Sequence, residues 1–261
     1  IAAITLIFAY LLWVVAPIFK SADIEPVNQL RAAERPTALV DISENGEVVS
    51  RFSNDGIVEF YDQASGRAVA GFDLGLQVRS IERVYPLVDL YALIDEERLL
   101  HFVRSQHIVN FENDPRRLAS SADFPLGRDG IAIGEITAID THLFDSELLI
   151  VTANERELAL RKYQDVEMGF GLGAAQQVTL KAGFSISNIY IGPRNQWVYA
   201  IGEKGEIEIF GIGSLQRPTR MYRGTLVEPG QTLTAIAPLL GRYSLIVGTS
   251  DGALTQYGIY S

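Results

Sequence analysis

Three histidines, His101, His107 and His142, are the only imidazoles in the 261 residues, and no two of them stand at a spacing that would aim both rings at one metal ion. Each reads as a satisfied or solvated side chain. The chain has no cysteine, which removes a thiolate nucleophile, a disulfide framework and a Cys-ligated zinc site together. A Gly-x-Ser-x-Gly elbow is also missing, so nothing argues for hydrolysis. Gly169-Phe-Gly-Leu-Gly-Ala174 formally matches a dinucleotide fingerprint, but that motif needs a helix to begin there so that its amides face a pyrophosphate. The residues that follow, Ala175 to Leu180, read as a strand, and the glycines as an inter-strand loop. Asn54-Asp55-Gly56 and Ser250-Asp251-Gly252 lack the alternating acidic ligands of a calcium loop and read as hairpin turns. The expectation is therefore a chain with no catalytic, cofactor-binding or metal-binding residue.

Charge points the same way. With 22 basic and 32 acidic residues the chain carries −10, and its basic pairs, Arg116-Arg117 and Arg161-Lys162, are isolated. Nucleic-acid binding needs clustered cations to neutralise phosphates, so a nucleic-acid partner is not expected.

The elements divide into three regions. From Ile1 to Phe19 the sequence IAAITLIFAYLLWVVAPIF has no charge, and at about 1.5 Å per residue it matches the apolar thickness of a bilayer. It predicts a transmembrane helix over residues 1–20, in preference to a cleaved signal peptide, because the run is long and lacks a clean small-residue cleavage site. No initiator Met and no basic flank precede Ile1, so the sequence reads as starting inside a longer protein and orientation cannot be read from charge. Residues 21–36 are polar, contain Pro26 and Pro36, and suit a linker. From Thr37 to Ser261, short β-branched and aromatic runs alternate with Gly, Asp and Asn turns, and no helical period is sustained.

Internal repetition sets the architecture of this third region. Leu233 to Pro238, Ser244 to Gly252 and Ala253 to Tyr257 form a three-strand phrase with a tight Asp-Gly turn. It recurs at Ile186 to Phe210, at Thr37 to Tyr61, and more weakly at Ile136 to Leu160 and Ser80 to Phe102. Aligning the turns at Gly56, Glu97, Arg156, Gly205 and Gly252 gives a scattered period close to the roughly 40–50 residues of one propeller blade. Residues 67–74, 177–181 and 220–226 supply outer fourth strands, while residues 112–130 read as a loop insertion. The fold class is all-β, β-propeller-like, with about five readable WD-repeat-like blades and a preceding transmembrane helix. A β-sandwich is the competing architecture, disfavoured by the repetition. The last phrase has no fourth strand and the segment before Thr37 is a poor donor for one, which predicts a propeller cut within its ring, with further blades beyond Ser261.

An apolar helix ending LLWVVAPIFKSADI, followed by blades reading LTAIAP and LIVGTSDGALTQY, resembles the N-terminal region of the enlarged PstC-type permease of bacterial phosphate ABC transporters. That resemblance implies a transport subunit of the bacterial inner membrane whose β domain lies in the periplasm. It also implies partners among transporter subunits and a periplasmic substrate-binding protein. The family's translocation residues fall on no position here. Residues alone support a tethered β scaffold that binds partners through its loops. A periplasmic scaffold for outer-membrane protein assembly is the next reading, although it lacks the lipid-bearing Cys of that group. A quinone-dependent propeller enzyme is the third.

Overall fold

The computed structural model describes Tyr10 and residues 34–85, 89–110, 117–164 and 176–259. The transmembrane helix expected over residues 1–20, most of the 21–36 linker and the loop Gly169 to Ala174 lie outside the described residues. Among the described residues no helix is long and apolar enough to cross a membrane.

Among the described residues, twenty strands form five antiparallel sheets taken in chain order. The first sheet is β1 (Thr37–Ile42), β2 (Val48–Ser53), β3 (Ile57–Asp62) and β4 (Ala68–Asp73). The second is β5 (Val78–Arg83), β6 (Leu90–Asp95), β7 (Leu99–Asn110) and β8 (Arg117–Asp123), with the short β9 (Ile131–Ala132) paired to the start of β7. β10 (Ala138–Phe144), β11 (Glu147–Asn154), β12 (Glu157–Tyr163) and β13 (Gln176–Lys181) make the third sheet. The fourth contains β14 (Ile186–Ile191), β15 (Trp197–Gly202), β16 (Glu206–Gly211) and β17 (Thr219–Thr225). The fifth has three strands, β18 (Leu233–Pro238), β19 (Ser244–Thr249) and β20 (Leu254–Gly258). Each sheet is thus a meander in which consecutive strands pair, the arrangement of propeller blades.

Stacking of these sheets explains the unbroken apolar runs. In β11, Leu148 and Ile150 pack into the core shared with the second sheet, while Leu149 and Val151 pack into the core shared with the fourth. Successive side chains point to opposite faces, so a strand covered on both faces needs apolar residues at every position. β6 and β15 follow the same rule. Tyr91 and Leu93 face the first sheet and Leu90 and Ala92 the third; Val198 and Ala200 face the third sheet and Tyr199 and Ile201 the fifth. β19 differs, because Leu245 and Val247 are buried against the fourth sheet while its other face has no core cluster among the described residues. On the first sheet, Val40 and Ile42 are likewise exposed. Among the described residues, then, four cores join the five sheets in sequence and none joins the fifth to the first.

Two sequence expectations are corrected. Residues 112–130 are not simply a loop, since β8 supplies the outer strand of the second sheet and pairs with β7 from Arg104↔Asp123 onward. Its sequence RLASSAD is dominated by Ala and Ser, poor strand formers whose pairing comes from the neighbouring edge and from the Arg104–Asp123 ion pair. The turn residue in left-handed conformation is Arg98 (φ 63°) rather than Glu97 in the second sheet, and Glu155 (φ 49°) rather than Arg156 in the third. In the other three sheets it is Gly56, Gly205 and Gly252, as aligned.

Candidate functional site: the blade junctions and the open last sheet

The histidines are all engaged inside the fold. His101 is buried and its Nε2 lies 2.9 Å from Asp95, whose other oxygen accepts the Leu99 amide at 2.8 Å. Asp95 thereby closes the β6–β7 turn from both sides. His107 Nδ1 is 3.0 Å from Ser120 Oγ across β7 and β8, and burial pushes its pKa down. His142 is buried on β10, 2.6 Å from the Asn195 side-chain oxygen and stacked on Tyr85; burial again lowers its pKa, partly offset by Asn195. The structure does not bring the three together, and among the described residues no group of three His, Asp or Glu side chains is placed to hold a metal ion.

Asp55 and Asp251 occupy equivalent turns. Ser53 donates to Asp55 and Thr249 donates to Asp251 at 2.6 Å, and these hydroxyls are the main reason both carboxyls sit below their ordinary pKa. Each carboxylate accepts bonds within its own turn, as the hairpin reading requires. In the basic pair on β12, Lys162 reaches Glu147 at 2.5 Å. After the glycine-rich segment the chain continues as β13, a strand and not the helix a dinucleotide site needs.

One polar cluster escaped the sequence reading. Arg242, in the β18–β19 turn, forms a two-pronged pair with Asp140 on β10 and also donates to the Ile191 carbonyl on β14 at 3.2 Å. The Ile191 amide donates back to Asp140 at 2.6 Å. Beside them the Arg242 guanidinium lies 4.6 Å from the centre of the Tyr85 ring, and the Tyr85 hydroxyl accepts the Gly241 amide at 3.1 Å. Asp140 and Arg242 are both buried, so this cluster ties the second, third, fourth and fifth sheets together in a dry setting. Desolvation raises the Asp140 pKa, and Arg242 opposes that rise. Glu82, on β5, is pushed up to about 7 by desolvation and by the Asp140 charge. These groups hold one another; their chemistry is cohesion. Arg242 stands in an ordinary-looking turn 102 residues from Asp140, and no local spacing announces the pair.

A second feature is open. Between the fourth and fifth sheets runs a groove of about 410 Å³, walled by Ile207, Ile209, Met221, Tyr222, Leu245 and Tyr257. At its floor the Tyr257 hydroxyl donates to the Leu226 carbonyl at 2.8 Å. All five residues of β20 are exposed along its length.

No family model matches the sequence, and no curated protein matches it. Solved structures do resemble its fold. A computationally designed protein, Ika8, aligns over 90% of this chain with a TM-score of 0.53 at 13% identity, and Hsv2 from Kluyvelomyces marxianus over 87% with 0.52 at 10%. The Cps50 (Swd1) β-propeller domain of Myceliophteria thermophila aligns over 88% of this chain and 72% of its own, with a TM-score of 0.49 at 12% identity. This chain spans 62% of Ika8 and 64% of Hsv2, less than two thirds of either. The resemblance to a PstC-type phosphate permease is overturned: no model of that family matches, and the described structure is a run of propeller-like sheets. The blade phrase that suggested the permease reflects a physical requirement of any such sheet stack, namely apolar middle strands and tight turns. Sheet topology and structural likeness together establish an all-β, propeller-like fold.

Proposed function

We propose that this chain is a non-enzymatic docking scaffold that binds protein partners through the surface of its last two sheets. The observation behind this reading is where exposed apolar side chains gather. Met221, Tyr222, Leu240, Tyr243, Leu254 and Tyr257 are all exposed, and all fall between β17 and β20. Clustered apolar surface of this kind on a folded domain marks an interaction site. His101, His107 and His142 and the turn carboxylates Asp55 and Asp251 are engaged in turns and sheet junctions, which suits a rigid platform. The uncharged residues 1–19 tether the platform to a membrane.

Photo-crosslinking in the source cells tests this. A photoreactive residue at Leu254 or Leu240 gives discrete adducts, and the same residue at Glu97, on the far-off β6–β7 turn, gives none. Equal, diffuse labelling from all three positions contradicts the reading. Alkaline carbonate extraction tests the tether, which predicts retention in the membrane pellet.

A further inference from the structure

The second sheet departs from its neighbours at two matched positions. Near the start of the inner strand one residue is bulged out of the ladder, and in the first, second, fourth and fifth sheets it is Ala38, Arg79, Ser187 and Thr234. Each lies beside the residue that begins the next turn, Ser53, Asp95, Gly202 or Thr249. Those four residues accept, through their carbonyls, the amide of a left-handed residue that closes the turn, which is Gly56, Arg98, Gly205 and Gly252 in the same order. Arginine thus stands twice where the other sheets use Ala, Ser, Thr or Gly. Arg98 holds at φ 63° a backbone that suits glycine, and the bulge at Arg79 re-aims its side chain; such departures gather at functional sites.

Both arginines line one cavity of about 530 Å³ between the second and third sheets, a size typical of small-molecule sites. Its apolar wall is made by Ile94 of β6, Ile139 of β10, and Ile133 and Ile136 of the connection between β9 and β10, all half-buried. That connection belongs to residues 124–137, between β8 and β10, whereas only residues 74–77 and 182–185 follow the outer strands β4 and β13. A connection of this length inside a meander is commonly functional. It is pinned by β9 on β7 and by Glu135, which meets Arg98 at 2.7 Å. Both members of that pair are exposed, so the pair is weak and open to exchange. Arg79 makes no hydrogen bond or ion pair among the described residues. Glu155 lines the third-sheet side, so a bound anion belongs at the arginine end.

We propose that this cavity binds a small molecule carrying one carboxylate on an apolar body. The carboxylate pairs with Arg79 and with Arg98, which leaves Glu135 to do so, and the apolar body lies against the four isoleucines. This site stands on the second and third sheets, apart from the docking surface of the last two, and does not depend on it.

Hexanoate is the probe, followed by ligand-detected NMR on titration with the whole 261-residue chain, kept in mild detergent because of its apolar first nineteen residues. Saturable binding is expected, with hexanol, which has the same body and no charge, at least about tenfold weaker. Arg79→Ser, which installs the residue of the fourth sheet, should weaken hexanoate binding by about tenfold or more while circular dichroism and Tm stay close to wild type. Arg98→Gly, which restores the glycine of the other sheets, should weaken binding while Tm stays at or above the wild-type value, an outcome that a merely structural arginine would not give. Glu135→Gln frees Arg98 and should tighten binding. Absence of saturable binding to the folded wild-type chain overturns the proposal, as does equal binding of hexanol or unchanged hexanoate binding to Arg79→Ser.

Discussion

The Arg242 guanidinium is held by the Asp140 carboxylate across 102 residues of sequence, so a turn of the last sheet is anchored to the inner strand of the third. Both partners are buried, and the charge of each is compensated chiefly by the other. Removing one partner should therefore cost far more than removing both. Arg242→Ala is expected to destabilise the fold by about 3–5 kcal/mol, whereas a paired Asp140→Leu, Arg242→Met replacement should cost much less. Urea unfolding of the two variants measures the difference, and equal losses would contradict the assignment.

Glu82 gives the fold a pH dependence of predictable sign. Its folded pKa is raised from 4.5 to about 7, so the native state binds the proton more tightly than the unfolded chain. The stability this group contributes is fully present below about pH 4.5 and is lost as pH rises to about 7. Glu82 is exposed as a residue while the surrounding protein desolvates its carboxyl, so solvent screening keeps the effect small. Tm measured from pH 4.5 to 7 should decline less in Glu82→Gln than in wild type. An identical slope in both would rule Glu82 out as its source.

Equivalent turns should respond unequally to the same substitution. Gly56 has φ 79° and a Cβ there would meet the Leu76 carbonyl oxygen at 1.9 Å, whereas Gly252 has φ 84° and open space around it. Gly252→Ala should cost about 1–2 kcal/mol for the left-handed backbone alone, and Gly56→Ala clearly more. Thermal unfolding of the two variants should rank them in that order.

Asp95 should behave as a structural residue. Asp95→Ala leaves the buried His101 ring and the Leu99 amide without their acceptor, at an expected cost of about 1–3 kcal/mol. Asp95→Asn, which keeps one acceptor oxygen, should recover part of that loss in chemical denaturation. Failure of Asn to recover any of it would mean that the carboxylate is needed for something beyond closing the turn.

Much of this architecture was legible in the sequence, for physical reasons that particular strands make plain. The β14 to β16 and β18 to β20 phrases carry Gly205 and Gly252 at their turns, and middle strands such as Leu148–Val151 and Trp197–Ile201 are apolar at consecutive positions because both faces are covered. β8 was not legible, since its Ala and Ser residues form a strand only because β7 offers an edge. The turns at 96–98 and 155–156 were legible but their left-handed residue was misplaced by one position, at Glu97 for Arg98 and Arg156 for Glu155, because left-handed backbone without Gly leaves no compositional mark. The Asp140–Arg242 cluster and the groove beside Tyr222 are products of sheet stacking and have no local signal. The permease resemblance rested on the apolar first segment and on a blade phrase that any such stack produces.

Hydrogen–deuterium exchange at β20 tests the central claim most directly, since the proposed docking surface includes this strand, all five residues of which are exposed. The outward amides of Leu254 and Gln256 should exchange within the earliest time points, while amides of the corresponding third strands β12 and β16, each paired on both sides, stay protected. Protection of β20 equal to that of β12 and β16 would mean that the edge is already covered, and would contradict the account.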